Sequence, residues 1–170
     1  MGIVLIGMMG CGKTTLGKHL SQRLGWRHLD LDEEVVRLSG RAIAQIFEED
    51  GEEAFRRLES EALSSIRDSG DLVLSVGGGA PTREENWPLM RHVGPVVYLK
   101  ASEGLLIQRL ERSRRERPLL KGRGWRERLG QLLQERERFY ARADHVVALD
   151  GSSRSEVLRQ LCQIAVEDRE

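Results

Sequence analysis

The sequence predicts an α/β protein: a three-layer α/β/α arrangement in which a five-stranded parallel sheet lies between helices, in one domain over residues 1–170. Three observations carry this. Apolar, β-branched runs alternate with segments of helical period five times along the chain. The first run opens into Gly7-Met8-Met9-Gly10-Cys11-Gly12-Lys13-Thr14, which fits G-x-x-x-x-G-K-[ST] in the strand–loop–helix context that motif requires. The chain has 170 residues with no internal repeat, linker or low-complexity tract, a length that suits one well-buried core.

The elements follow in order. Ile3–Ile6 reads as a buried strand, and Lys13–Leu24 as a helix closed by Gly25. Arg27–Leu31 is a short second strand. Glu33–Leu38 is helical up to Gly40, Ile43–Glu49 up to Gly51, and Phe55, Leu58, Ala62, Leu63 and Ile66 continue at helical spacing to about Asp68. Leu72–Val76 is a third strand and runs into Gly77-Gly78-Gly79. Val93–Leu99 is a fourth strand and Glu103–Arg112 a helix. Residues 118–124 are rich in Gly, Pro and basic side chains and read as a mobile loop. Gly124–Ala141 is helical, His145–Leu149 the last strand, and Val157, Leu158, Leu161, Cys162 and Ala165 mark a closing helix.

Composition narrows the function classes. Basic and acidic residues balance at 27 each, which argues against a protein built to hold nucleic acid or an anionic membrane. The two cysteines, Cys11 and Cys162, form no disulfide framework and suit a reducing cytoplasm. No apolar run reaches the roughly 18 residues of a membrane span. No signal peptide is expected, because the chain enters a strand at once. Nor is myristoylation, because Ile6 stands where Ser or Thr is needed.

The chemistry starts at the phosphate loop. Its glycines turn N–H groups inward as an anion nest, and the following helix adds its N-terminal dipole. Gly10, Cys11, Gly12, Lys13, Thr14 and Thr15 are the expected nucleotide contacts, with Lys13 on the β/γ-phosphates and Thr14 on Mg²⁺. A Cys11 thiol inside a positive nest would be reactive and would be protected by nucleotide; otherwise Cys11 is a small residue that fits. Asp30 and Asp32, two apart at a strand end, would face the ligand edge together, one supporting Mg²⁺ and one orienting an attacking hydroxyl. The alternative for Asp32 is an N-cap. Gly77, Gly78 and Gly79 suit a place where a ligand lies on bare backbone, or a flexible turn. Ser75 could reach the Mg²⁺ water shell or merely satisfy its strand. Arg56, Arg57 and Arg136 suit bidentate capture of a substrate carboxylate, or ordinary surface. Arg112, Arg114, Arg115, Arg117, Lys121, Arg123, Arg126 and Arg128 make a basic segment. It reads best as a lid that brings positive charge over phosphates, with Arg117 neutralising the transferring group; a solvated helix end is the plainer reading.

Together these stretches resemble the shikimate kinases: the phosphate loop, Leu29-Asp30-Leu31-Asp32, Ile46-Phe47 with Gly51-Glu52 and Phe55-Arg56, Ser75 to Ala80, Arg117-Pro118-Leu119-Leu120, and Arg136 four before Tyr140. The resemblance implies a nucleoside-monophosphate-kinase type of fold with a lid at about 112–124 and substrate-binding helices at about 33–62. It implies a monomeric enzyme that transfers the ATP γ-phosphate to the shikimate 3-hydroxyl on the chorismate route to aromatic amino acids. By that likeness Asp32, Arg56, Gly77, Gly78, Gly79 and Arg136 hold shikimate, Asp30 and Thr14 support Mg²⁺, and Lys13, Asp32 and Arg117 act in catalysis. Three departures stand out. Leu110 occupies the place of the family's adenine arginine, leaving Arg109 or Arg112 for that task. Arg138 replaces a proline, and Cys11 a more usual Ser or Ala. The competing readings are a gluconate or nucleoside-monophosphate kinase, a non-catalytic nucleotide-binding module, and a nucleic-acid-binding module.

Overall fold

The run Ile3-Val4-Leu5-Ile6 is fully buried, as the middle strand of a sheet covered on both faces must be. In a computed structural model, which describes residues 2–66, 70–113 and 117–167, it forms β1 (Gly2–Ile6). β1 lies between β3 (Leu72–Ser75) and β4 (Val96–Lys100). β2 (Arg27–Asp30) and β5 (His145–Ala148) complete the edges. The order is β2-β3-β1-β4-β5, with every neighbouring pair parallel. Asp30 pairs with Ser75, and Ser75 with Leu5, so the segments leaving β1, β2 and β3 open at one edge of the sheet. Ligands of such sheets bind at that carboxyl edge.

The helices keep the expected alternation. α1 (Lys13–Leu24) has the bounds read from the sequence and is ended by Gly25. α2 (Leu31–Ser39) stops at Gly40. The two helices expected on either side of Gly51 are present and follow one another within α3 (Ile43–Ser65), with Gly51 at φ 83 and ψ 176 breaking the helical backbone between them. α4 is Asn86–Val93, α5 Glu103–Arg112, α6 Trp125–Tyr140 and α7 Arg154–Glu167.

The differences from expectation have local causes. β2 ends at Asp30 because Leu31, fully buried, already begins α2. The third strand stops one residue early, at Ser75. The fourth begins at Val96, because Val93 closes α4, a helix that Pro88 obscured. A proline in a first turn loses no hydrogen bond there. Gly94 then passes over the Gly2 carbonyl so closely that no Cβ would fit. Pro118–Leu120 is a 3₁₀ turn with Leu120 buried, so that part of the expected loop is anchored to the core. The helix end near Asp68 and the expected lid residues Arg114 and Arg115 lie outside the described residues.

Candidate active site

The phosphate loop joins β1 to α1. Gly12 sits at the α1 N-cap with φ 94 and offers no side chain to the first-turn N–H groups, which remain available to an anion. Lys13 folds back over the loop: Nζ donates to the Gly7 carbonyl at 2.6 Å and the Met8 carbonyl at 3.1 Å. Thr14 Oγ1 donates to Asp30 Oδ2 at 2.5 Å, and Asp30 Oδ1 accepts from the Asp32 N–H at 3.0 Å. Asp30, not Asp32, is therefore the N-cap of α2, and Asp32 lies in that helix's first turn. Strand alternation does not bring the two together, because the strand ends between them. Both nevertheless line the same cleft. Cys11 is 0 % exposed, with its sulfur 3.7 Å from Lys13 Nζ and beneath Gly7. That corrects the expectation of a reactive thiol: a reagent must open the loop to reach it.

A cleft of about 550 Å³ opens beside the loop and has a cationic wall. Arg56 on α3 and Arg136 on α6 form that wall, 8 % and 5 % exposed. Arg56 is held by Glu59 at 2.5 Å and by Glu52 at 3.1 Å. Burial pulls its pKa down, but the charges and hydrogen bonds of Glu59 and Glu52 carry it above its ordinary value. Burial pushes the Glu59 carboxyl up, against the attraction of Arg56. Among the described residues, Arg136 has no carboxylate at ion-pair distance. Its Nη1 lies 3.7 Å from the Met8 sulfur, and it faces the Tyr140 hydroxyl. The wall thus holds one guanidinium bonded to two carboxylates and one that Glu59 attracts only from beyond ion-pair distance.

Gly77, Gly78 and Gly79 border this wall, and none adopts a left-handed φ. Their missing side chains leave room for the protein's own groups rather than for a turn. A Cβ on Gly77 would stand 2.6 Å from Glu59 Oε1, one on Gly78 3.0 Å from Arg136 Nη1, and one on Gly79 would overlap the Arg56 guanidinium. Phe47 and Phe55, with ring centroids 4.8 Å apart, add an apolar side. Ser75 is satisfied between the Lys13 carbonyl and His28 Nε2, each at 3.1 Å, so it takes the plainer of its two readings while lining the cleft.

Arg117, Pro118 and Leu119 also line the cleft, whereas Arg57 and Arg112 are exposed and do not line it. The other described basic residues serve the surface. Arg126 pairs with Glu111 and stacks on Trp125, and Arg128 donates to the Lys121 and Arg123 carbonyls. Arg109 donates to the Cys11 carbonyl at 2.6 Å and borders both the cleft and a second cavity of about 340 Å³. Gly12, Thr15, Ser152 and Arg154 also line that cavity. It lies beside the phosphate loop. Of the two arginines considered for the base, Arg109 lines both cavities and Arg112 neither.

Reading the sequence missed Glu59, Ser152 and Arg154. The three-residue spacing from Arg56 on one helix face was the signal for Glu59. Ser152 and Arg154 reach the loop only through the sheet topology, so no local signal marked them.

A phosphate nest and two buried guanidinium groups lining one cleft define a P-loop phosphotransferase acting on a small anionic acceptor. The family model for shikimate kinase matches residues 9–165. A shikimate kinase of Thermosynechococcus vestitus is 46% identical over 142 residues, covering 84% of this chain and 76% of that protein. The structure of shikimate kinase from Acinetobacter baumannii in complex with shikimate superposes with a TM-score of 0.89 at 35% identity, covering 99% of this chain and 94% of that one. A gluconokinase from Sinorhizobium meliloti shares the fold alone, with a TM-score of 0.63 at 17% identity. The chain belongs to the shikimate kinase family.

Proposed function

We infer that this protein transfers the γ-phosphate of ATP to the 3-hydroxyl of shikimate, giving ADP and shikimate 3-phosphate, and that it does so as a cytoplasmic monomer without nucleic-acid or membrane partners. The observation that carries the reading is Arg136: a buried guanidinium with no carboxylate at ion-pair distance among the described residues, against Met8 of the phosphate loop and lining the same cleft of about 550 Å³. A buried charge of that kind needs a counter-ion, and the acceptor's carboxylate supplies it. Arg56, already carrying two acidic partners, adds geometry more than net charge.

The residues have separable roles. Lys13 must exchange the Gly7 and Met8 carbonyls for phosphate oxygens when nucleotide binds. The N–H groups at the start of α1 receive the phosphates, with Gly10, Cys11, Gly12 and Thr15 contributing backbone, and Arg109 borders the base. The hydroxyl of Thr14 and the carboxylate of Asp30, already 2.5 Å apart, suit Mg²⁺. This ion takes few protein oxygens because water and phosphate fill most of its shell. When bound, it neutralises charge on the β- and γ-phosphates. Asp32 orients the acceptor hydroxyl and accepts its proton as the new O–P bond forms and the bond to ADP breaks. The loose transition state asks little of it as a base. Arg117 brings a positive charge to the transferring group from the lid. Lid closure excludes the water that would otherwise take the phosphoryl group.

ADP release measured over shikimate, quinate, gluconate and a deoxynucleoside monophosphate tests the reading. Turnover with shikimate far above the other three supports it. No acceptor-stimulated turnover, or preference for another acceptor, contradicts it.

A further inference from the structure

Five consecutive backbone carbonyls, from Gly77 to Pro81, are all engaged inside the protein. The Gly77 carbonyl accepts from the Ala80 N–H at 3.1 Å. That of Gly78 accepts from the Tyr140 hydroxyl at 2.6 Å, and that of Gly79 from the Thr82 hydroxyl at 2.6 Å. That of Ala80 accepts from Asn86 Nδ2 at 2.9 Å, and that of Pro81 from Trp87 Nε1 at 2.9 Å. Four of these five partners are side chains, drawn from the end of α6, the 3₁₀ turn Ala80–Thr82 and the start of α4. Tyr140, Asn86 and Trp87 are at most 2 % exposed. Among the described residues, no acceptor takes the N–H of Gly78 or Gly79.

Every peptide bond here is trans, so each carbonyl opposes the N–H of the following residue. Holding the Gly77 carbonyl on Ala80 therefore turns the Gly78 N–H away from Ala80. Holding the Gly78 carbonyl on Tyr140 likewise turns the Gly79 N–H away from Tyr140. Both donors belong to residues that border the cleft, beside Arg136 and Arg56.

We propose that Tyr140 and Thr82 are positioning residues for the acceptor: Tyr140 holds the Gly78 carbonyl and so aims the Gly79 N–H at the acid, while Thr82 holds the Gly79 carbonyl, and with it the Ala80 N–H that grips the Gly77 carbonyl and so aims the Gly78 N–H, in a turn that Asn86 and Trp87 fix from α4. The proposal rests on shikimate being the acceptor. Tyr140 matters most, because its hydroxyl is the partner of the Gly78 carbonyl, whereas the Gly79 carbonyl also accepts from the Thr82 N–H at 3.0 Å. Burial pushes the Tyr140 phenol up to about 12, so it stays a donor throughout the working pH range.

The test compares Tyr140→Phe, Thr82→Val and Thr82→Ser with the wild type, measuring the KM for shikimate, the KM for ATP, kcat and thermal melting. Tyr140→Phe keeps the ring packed 5.0 Å from Tyr98 and removes only the hydroxyl. The expected result is a shikimate KM raised about tenfold in Tyr140→Phe, whose hydroxyl also meets Arg136, and about threefold in Thr82→Val, which touches neither arginine; a rise in Tyr140→Phe with none in Thr82→Val assigns the effect to Arg136 and overturns the clamp. Thr82→Ser should restore the wild-type value, and the ATP KM and kcat should stay within about twofold. A cooperatively folded Tyr140→Phe with the wild-type shikimate KM, or with both KM values raised alike, overturns the clamp. If Tyr140→Phe does not fold, the Thr82 pair decides by the same criterion. A wild-type protein that leaves shikimate unphosphorylated overturns the acceptor reading and the clamp with it, whereas active wild type with unaffected variants overturns the clamp alone.

Discussion

Replacing Gly79 with alanine adds one methyl group at the most crowded point of the acceptor wall. Its Cβ would overlap Cζ and both Nη atoms of Arg56. Gly79 has φ −92 and ψ −16, a right-handed conformation that alanine adopts freely, so the substitution brings no backbone strain. The guanidinium has little freedom to move aside, because Glu59 holds it at 2.5 Å and Glu52 at 3.1 Å in a setting where Arg56 is 8 % exposed. Yielding means giving up at least one charge-assisted bond, which costs about 2 kcal/mol. Loss of an equal contact to the acceptor carboxylate lowers kcat/KM for shikimate about thirtyfold. The same cost in the folded state lowers Tm by about 4–8 °C in a domain of this size. A coupled assay at saturating ATP and a calorimetric scan measure the two, with the ATP KM expected to stay unchanged. Gly104→Ala is the control: it lies on α5 with nothing within 4 Å of a new Cβ, and should leave activity alone and Tm equal or higher. A Gly79→Ala enzyme with kcat/KM within about threefold of wild type and an unchanged Tm would refute the crowding argument.

Other perturbations separate the remaining roles. Arg136→Lys keeps the charge but loses the planar fork, so the shikimate KM should rise about 10- to 100-fold with ATP binding intact, as substrate titrations would show. Asp32→Asn should lower kcat far more than it disturbs nucleotide affinity, and an unimpaired variant would remove Asp32 from the mechanism. Asp30→Asn keeps an oxygen for the Asp32 N–H but removes the charge beside Thr14. Its turnover should need much more Mg²⁺ than wild type, and EDTA should silence both until Mg²⁺ is restored. Burial holds the His28 imidazole below its ordinary 6.5, with Asp30 opposing and Lys18 reinforcing. The unfolded chain then takes up that proton first. The stability is fully present above pH 6.5 and is lost as the pH falls from there through the folded value. His28→Gln should flatten that part of the Tm–pH curve.

Local patterns account for how much was legible in advance. β1 and α1 were clear because an apolar run, a glycine loop and a helical period meet at the start of the chain and each obeys its own short-range rule. The break at Gly51 and the helix beyond it were both legible, because glycine marks the kink and Phe55, Leu58, Ala62 and Leu63 keep the helical period after it. Asp30 and Asp32 line one cleft as expected but not by strand alternation: an N-cap competes with strand extension, and the buried Leu31 settled it. The glycine triplet shows the limit most plainly. Its residue types said that something approaches the backbone closely, but only the fold shows that Glu59, Arg136 and Arg56 do so. α4 was hidden by Pro88, and with it the Asn86 and Trp87 side chains that grip the carbonyls beyond the triplet.

A crystal structure of the protein with shikimate and a non-hydrolysable ATP analogue tests the central claim most directly. The account predicts the shikimate carboxylate on Arg136 Nη atoms and beside the Gly79 N–H, with the 3-hydroxyl between Asp32 and the γ-phosphate. Shikimate bound away from Arg136, with that guanidinium still against the Met8 sulfur, would contradict it.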